Sequence, residues 1–148
     1  MKKLFLLFSL SIFITTAFSQ SRPQKKIRDA FKLHQPNAKE VKWTGEGERQ
    51  KEWTADYIVG ADSMRTKYDY KANWLLTVKF ITLDQLPEKV SASILDEYQG
   101  ATITKAGKMQ EPDFDGFAVV FIYLKDRWAV AITKEGNVVR RKITSEGF

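Results

Sequence analysis

An α+β fold is predicted: a tandem duplication of a helix plus a four-stranded antiparallel sheet, with two helices on one side and eight strands in total. Three observations predict it. The stretch DYKANWLLT, beginning at Asp69, returns as TKEGNVVRR, beginning at Thr133, 64 residues later, with Asn73 over Asn137. The same shift lays Trp53, Ala55, Tyr57 and Val59 over Phe117, Val119, Phe121 and Tyr123, each set alternating at the period of two that marks a half-buried strand. Met64, Thr66 and Tyr68 fall likewise on Trp128, Val130 and Ile132, so one offset matches types and faces over about 25 positions, and an internal repeat decides the fold before local propensities do.

Each half opens with a helix. Ile27, Ala30, Phe31 and His34 stand at i, i+3, i+4 and i+7 after Pro23, a residue tolerated in a first turn. The second helix begins near Pro87 in LPEKVSASILDEYQG and presents Val90, Ile94, Leu95 and Tyr98 before Gly100, a suitable stop. Four strand-like runs follow each helix: 39 to 45, 50 to 59, 62 to 70 and 73 to 81 in the first half, then 102 to 109, 115 to 125, 127 to 133 and 137 to 143 in the second. Short polar connections between them suit hairpins, so successive strands should pair antiparallel. The two repeats are placed at 24–82 and 83–148.

In the first half Trp53, Tyr57, Met64, Tyr68, Trp74, Leu76, Val78 and Phe80 share a parity within their strands, while Thr54, Asp56, Arg65, Lys67 and Asp69 take the other. This predicts one dry face under the helix and one wet face away from it. The second half departs from that pattern. Its strand 115 to 125 is apolar on both parities, with Ala118, Val120, Ile122 and Leu124 on the second face and Ala129 and Ala131 added by the neighbouring strand. Either these six residues pack against the other repeat or the tail of the chain, or they form an apolar patch that receives a protein partner.

The first residues, MKKLFLLFSLSIFITTAFSQ, place two lysines before an uncharged apolar run and small residues before Gln20, the pattern of a secretory signal peptide over 1–19. The run is shorter than the about 20 apolar residues of a membrane-spanning helix, so no stable membrane insertion is expected after cleavage. The mature chain, 20–148, is expected in the bacterial periplasm or outside the cell. Cysteine is absent, which excludes disulfides and thiolate metal sites. The formal charge is +6, and without the two signal lysines +4, with the basic residues scattered. No basic stripe or recognition motif supports nucleic-acid binding.

The chain resembles the β-lactamase-inhibitor-like, PepSY-like domain family of secreted bacterial proteins. The residues that carry the likeness are FKLHQPNAKEVKW from Phe31 to Trp43, the Asn73-Trp74 pair, LPEKV at the second helix, YQGATITKA from Tyr98, and KEGNVV near the end. Gln99 stands where the family usually has proline, and His34 where an aromatic is common. The resemblance implies a tandem arrangement similar to β-lactamase inhibitor protein, with helices on one side of an antiparallel sheet and the opposite, curved side free to grip a partner. It implies no inhibition of a β-lactamase, since fold alone does not fix function.

No constellation for catalysis is found. His34, the single histidine, lies on the apolar helix face and is expected to be packed or half-buried, over the place that Tyr98 takes in the second half. Without cysteine or a second histidine, zinc sites of the usual kinds are unavailable. No serine stands in a nucleophile elbow. EPDFDG, with Glu111, Asp113 and Asp115, is a fragment of an oxygen-ligand calcium loop without its later ligands, and is expected to be a solvated hairpin connection. GEGERQ from Gly45 is expected to be the first hairpin, and the four tryptophans to be core. The expectation is therefore a non-enzymatic exported module with no cofactor, binding a protein or peptide of the envelope, with inhibition or regulation of that partner as one outcome. The alternative is an envelope protein binding a small ligand or cell-wall glycan on the same surface.

Overall fold

A computed structural model describes residues 22–143 of the chain. The signal segment expected at 1–19 and the last five residues of the second repeat lie outside the described residues. The order of elements is α1 (Lys25–His34), β1 (Lys39–Glu46), β2 (Glu52–Val59), β3 (Asp62–Asp69), β4 (Trp74–Ile81), α2 (Glu88–Glu97), β5 (Thr102–Glu111), β6 (Phe114–Tyr123), β7 (Asp126–Thr133) and β8 (Val138–Ile143). Two helices and eight strands thus fall where the periodicity predicts them, with ends displaced by up to two residues.

All eight strands form one antiparallel sheet in chain order, so the halves join edge to edge where β4 pairs with β5, Val78 opposite Met109. Following paired residues across the strands fixes the faces, because partners in a ladder point the same way. Tyr57, Met64, Lys79, Lys108 and Phe117 are successive partners and share one face. On it α1 buries Ile27 and Phe31 against Trp53, Ala55, Tyr57 and Tyr68, and α2 buries Val90 and Ile94 against Phe117, Val119, Phe121 and Val130. Both helices therefore lie on the same side. Trp53 and Phe117, 64 positions apart, are each 5% exposed there.

The repeated turn is the same object twice. In the first half the Asp69 carboxylate accepts from the backbone N–H groups of Lys71 and Asn73, and Asp69 N–H donates to the Asn73 carbonyl. In the second the Thr133 hydroxyl accepts from Glu135 and Asn137, and Thr133 N–H donates to the Asn137 carbonyl. A short polar side chain folding back on its own backbone is what makes both turns tight. The fourth residue of each has a positive φ, 74° at Ala72 and 96° at Gly136.

Three expectations are corrected. Leu76, Val78 and Phe80 do not share the face of Trp74. Tyr68 pairs with Trp74 but Lys67 pairs with Leu76, so Leu75 is an extra residue, a bulge that turns the rest of β4 over. Leu76, Val78 and Phe80 stand with Arg65 and Lys67, away from the helices, while Ile81 packs on the helix side. The same irregularity recurs in β8, where Ile132 pairs with Val138 and Ala131 with Arg140. Leu95, expected on the buried face of α2, is exposed. His34 is exposed rather than packed. It does not take the place of Tyr98: the N–H that caps α1 on Phe31 comes from Gln35, as the N–H that caps α2 on Ile94 comes from Tyr98.

Candidate functional site

The face away from the helices carries the candidate site. Its centre is a cluster of Val78, Met109, Ala118 and Ala131, with Leu76, Phe80 and Phe114 packed against it. The cluster spans β4 to β7 and so crosses the join between the halves. No helix residue contributes to it among the described residues. Gly107 permits the close fit at the join, because a Cβ there would overlap Val78 Cγ1 and press on the Lys79 carbonyl.

Of the six residues predicted for this face, Ala118 (1%), Val120 (2%), Ala129 (8%) and Ala131 (6%) are buried, whereas Ile122 (39%) and Leu124 (78%) are exposed. The structure brings Ala118, Val120, Ile122, Ala129 and Ala131 to one side of β6 and β7, and puts Leu124 in the hairpin between the two strands. Ala118 and Ala131 lie against Val78 of the first half, and Val120 pairs with Ala129. Sequence reasoning missed the β4 contribution, Leu76, Val78 and Phe80, because it carried the parity of Trp74 through the bulge. A signal was present: Trp74, Leu75 and Leu76 are consecutive large apolar residues, which a single-faced strand does not need.

Charged side chains frame the apolar centre. On the β1–β3 side Arg65 grips Asp56 through two hydrogen bonds of 2.7 and 2.9 Å. Lys67 Nζ reaches Glu46 at 2.7 Å, and the Thr54 hydroxyl donates to the same carboxylate at 2.6 Å. Burial works to raise the Glu46 carboxyl, but the Lys67 ammonium and the Thr54 hydroxyl outweigh it and hold it below the usual range. At the join, Lys105 Nζ sits 4.4 Å from the centroid of the Phe80 ring, and the Arg65 guanidinium approaches the same ring at 5.9 Å. Burial lowers the Lys105 ammonium, and the positive charges of Arg65 and Arg127 lower it further against the opposing pull of Asp56. On the far side Arg140 stands 5.6 Å from the Phe114 ring and pairs with Glu111.

On the helix-bearing face of the sheet a cavity of about 420 Å³ lies over the join, lined by Met64, Thr77, Lys79, Lys108, Asp115 and Lys134 among others. Lys134 pairs with Asp115 and Lys79 with Asp62, each at 2.5 Å. The EPDFDG segment is the β5–β6 hairpin: Glu111 pairs with Phe114 across Pro112 and Asp113. Among the described residues no three of His, Cys, Asp and Glu gather as metal ligands, and no helix is long and apolar enough to cross a membrane. His34 Nδ1 lies 3.1 Å from the Tyr68 hydroxyl, a contact that serves the wall of the first core.

Solved structures of other proteins share this fold. A BLIP-like protein of Bacteroides fragilis superposes with a TM-score of 0.66 at 22% identity, over 88% of this chain and 92% of that one. A DUF2874 family protein of Bacteroides uniformis gives 0.68 at 20% identity, over 86% and 94%. A protein of Bacteroides eggerthii, described as a candidate periplasmic protein, gives 0.67 at 17% identity, over 86% and 94%. No protein-family model matches the chain, and no curated protein matches it in sequence. The structural likeness carries the two-helix, eight-strand architecture that the sequence resemblance implies, and at these identities it speaks for fold alone.

Proposed function

We propose that this chain is an exported, non-enzymatic binding module that engages a protein or peptide of the bacterial envelope through the sheet face opposite its helices, and thereby inhibits or regulates it. One observation carries the reading: the face that no described helix covers has an apolar centre shared by both halves, with Val78, Met109, Ala118 and Ala131 buried at its heart and Ile122 exposed beside it. A solvated face of an antiparallel sheet alternates polar side chains outward, and here apolar ones replace them across β4 to β7. Ile122 and Leu124 supply exposed contact area, and Ala118, Val120, Ala129 and Ala131 form the floor beneath it. The BLIP-like neighbour and the candidate periplasmic one support a binding role and an envelope location. The module is the mature chain 20–148 after removal of a signal peptide at 1–19. Its halves, 24–82 and 83–148, descend from one duplicated unit, a reading supported by the twin turns and the twin bulges.

The experiment pairs immobilised mature protein with an envelope extract, and sets a panel of sugars and cell-wall fragments against its melting temperature. A protein band that is lost on Ile122→Ser, with a silent panel, is the expected result. Ile122 is the right probe because it is exposed. Val120 is buried, so Val120→Ser is a core substitution costing about 2–3 kcal/mol. A melting shift with a glycan fragment and no captured protein favours the second reading, a small ligand or cell-wall glycan bound on the same surface.

A further inference from the structure

On the helix-bearing face the join between the halves falls between the two cores. Of β4, Trp74 packs into the core under α1 and Ile81 into the core under α2, and between them the strand presents Thr77 and Lys79 on that face. Register extends this pair into two rows across the join. Met64, Lys79, Lys108 and Phe117 are successive partners in one row, and Thr77, Gln110 and Asp115 in the next. Lys79 and Lys108 are therefore directly opposite one another, an arrangement that costs a sheet stability, because partners about 5 Å apart at Cβ repel when their charges match. The cavity of about 420 Å³ lies over these rows, and Lys134 also lines it. Counter-charge there is one short: Lys79 pairs with Asp62 and Lys134 with Asp115, while Lys108 makes no ion pair among the described residues. Both existing pairs are about half exposed, and exposed ion pairs are weak enough to rearrange around an incoming anion.

We propose that this cavity is a second binding site, for a small organic anion whose carboxylate or phosphomonoester group sits between Lys79 and Lys108 and whose apolar body lies on Met64 and Phe117 at the ends of the row. Charge and shape select this ligand together. An anionic group between two facing ammonium groups replaces their repulsion with charge-assisted hydrogen bonds, and the exposed Gln110 amide in the next row is a further donor within the same cavity. The Thr77 hydroxyl is already engaged by Thr66 and by the Trp74 indole, so it fixes the floor. Apolar side chains at both ends of the lysine pair favour a ligand with a hydrophobic body, and the volume suits a small molecule. A cation would meet three ammonium groups, and a neutral ligand would leave the facing lysines unrelieved. The site is independent of the open face, since its side chains stand on the opposite side of the sheet from Val78, Met109 and Ala118.

The test is an NMR titration of the isotope-labelled mature chain with hydrocinnamate and with phenyl phosphate, set against hydrocinnamamide, which lacks the charge, and acetate, which lacks the body. At least one aromatic anion should saturate the protein with amide shifts gathered at Thr77, Lys108, Gln110 and Phe117, about tenfold or more tighter than the amide or acetate. The tighter of the two identifies the anionic group. Lys108→Gln should weaken that anion about fivefold or more and melt no lower than the parent, because the repulsion of Lys79 leaves with the charge. Lys26→Gln, on exposed α1 surface, should bind as the parent does. An amide that binds as tightly as the anions, or an affinity unmoved by Lys108→Gln, would overturn the anion site, and acetate as tight as hydrocinnamate would overturn the apolar body. Shifts centred on Ile122 would overturn the cavity as the place of binding, and no saturation by either aromatic anion up to about 10 mM would overturn the proposal outright. None of these failures bears on capture of a protein through Ile122, which the pull-down reads separately.

Discussion

The two halves place the same architecture on different chemistry. Under α1 the core contains a chain of hydroxyls: the Tyr57 hydroxyl meets Thr66 Oγ1 at 2.9 Å, Thr66 meets Thr77 Oγ1 at 2.9 Å, and the Trp74 indole N–H donates to Thr77 at 2.9 Å. Under α2 the residues 64 positions on are Phe121, Val130, Arg141 and Val138. Of these Phe121 and Val130 are buried without a polar atom, and Arg141 turns outward to pair with Glu97. The aromatic anchors are exchanged as well. Phe31, in the middle of α1, meets Trp43 and Tyr57 edge-on at 5.2 and 5.0 Å. In the second half Ile94 holds that helix position and the anchor moves to Tyr98 at the helix end, against Phe121 at 4.8 Å and Tyr123 at 5.3 Å. A fold of this kind thus needs a large ring between helix and sheet, and tolerates either helix position for it.

The largest expected effect comes from the apolar core. Phe121→Ala should lose about 3–5 kcal/mol, since a fully buried ring leaves a cavity that a sheet ladder cannot close. Urea unfolding measures it, and a loss under about 1.5 kcal/mol would show that the second core adapts. In the polar core the sharper experiment is a cycle. Thr66→Val leaves the Tyr57 hydroxyl buried without its partner and should cost about 1–3 kcal/mol, Tyr57→Phe leaves Thr66 still bonded to Thr77 and should cost about 1 kcal/mol, and the double variant should cost less than the sum, because the two groups that lose each other leave together. Additive losses would mean that the hydroxyls do not act as a chain.

The turns give the next comparison. Gly136→Ala forces a side chain into a positive φ and against Ser93 and the Lys89 carbonyl, and should cost about 1–3 kcal/mol. Ala72→Gly relieves the matching strain in the first half and should be neutral or gain up to about 1 kcal/mol. Opposite signs sharpen the comparison, and equal losses would break it. A smaller effect follows from Tyr68, whose phenol burial pushes up to about 12, with the neighbouring Tyr57 adding to the shift. The folded state keeps this proton after the unfolded chain has released it near pH 10, so the stabilisation is complete below pH 10 and is lost between pH 10 and 12. The alkaline fall in melting temperature should be shallower in Tyr68→Phe than in the parent.

How far the sequence carried depended on where local pattern and ladder agree. The strands of each half and the helix side were legible because Trp53, Ala55 and Tyr57, and their counterparts Phe117, Val119 and Phe121, alternate without interruption, whereas the joining of the halves into one sheet was not. The turns were legible because Asn73 and Asn137 sit in the same frame. The bulge was not, since β4 reads WLLTVKFI and a strand with few polar positions shows no parity to break. That one residue, Leu75, hid half of the apolar centre of the candidate site. The fate of His34 was hidden by a smaller slip: the helices correspond at an offset of 63, with Phe31 over Ile94, and the strands after the first hairpin at 64. The apolar second face of β6 and β7 was legible because both parities there are apolar, but its burial was not: Ala118, Val120, Ala129 and Ala131 are buried, and of the six only Ile122 and Leu124 present much surface.

The measurement that bears most directly on the whole account is a methyl NOESY spectrum of the mature chain, read at Val78. The bulge at Leu75 predicts cross-peaks from the Val78 methyls to Met109 and to the Ala118 methyl, across the join and on the side away from the helices. Cross-peaks from Val78 to Phe31 or Trp53 instead would put β4 in the unbroken parity, remove the apolar centre from the open face, and leave the proposed binding surface without its core.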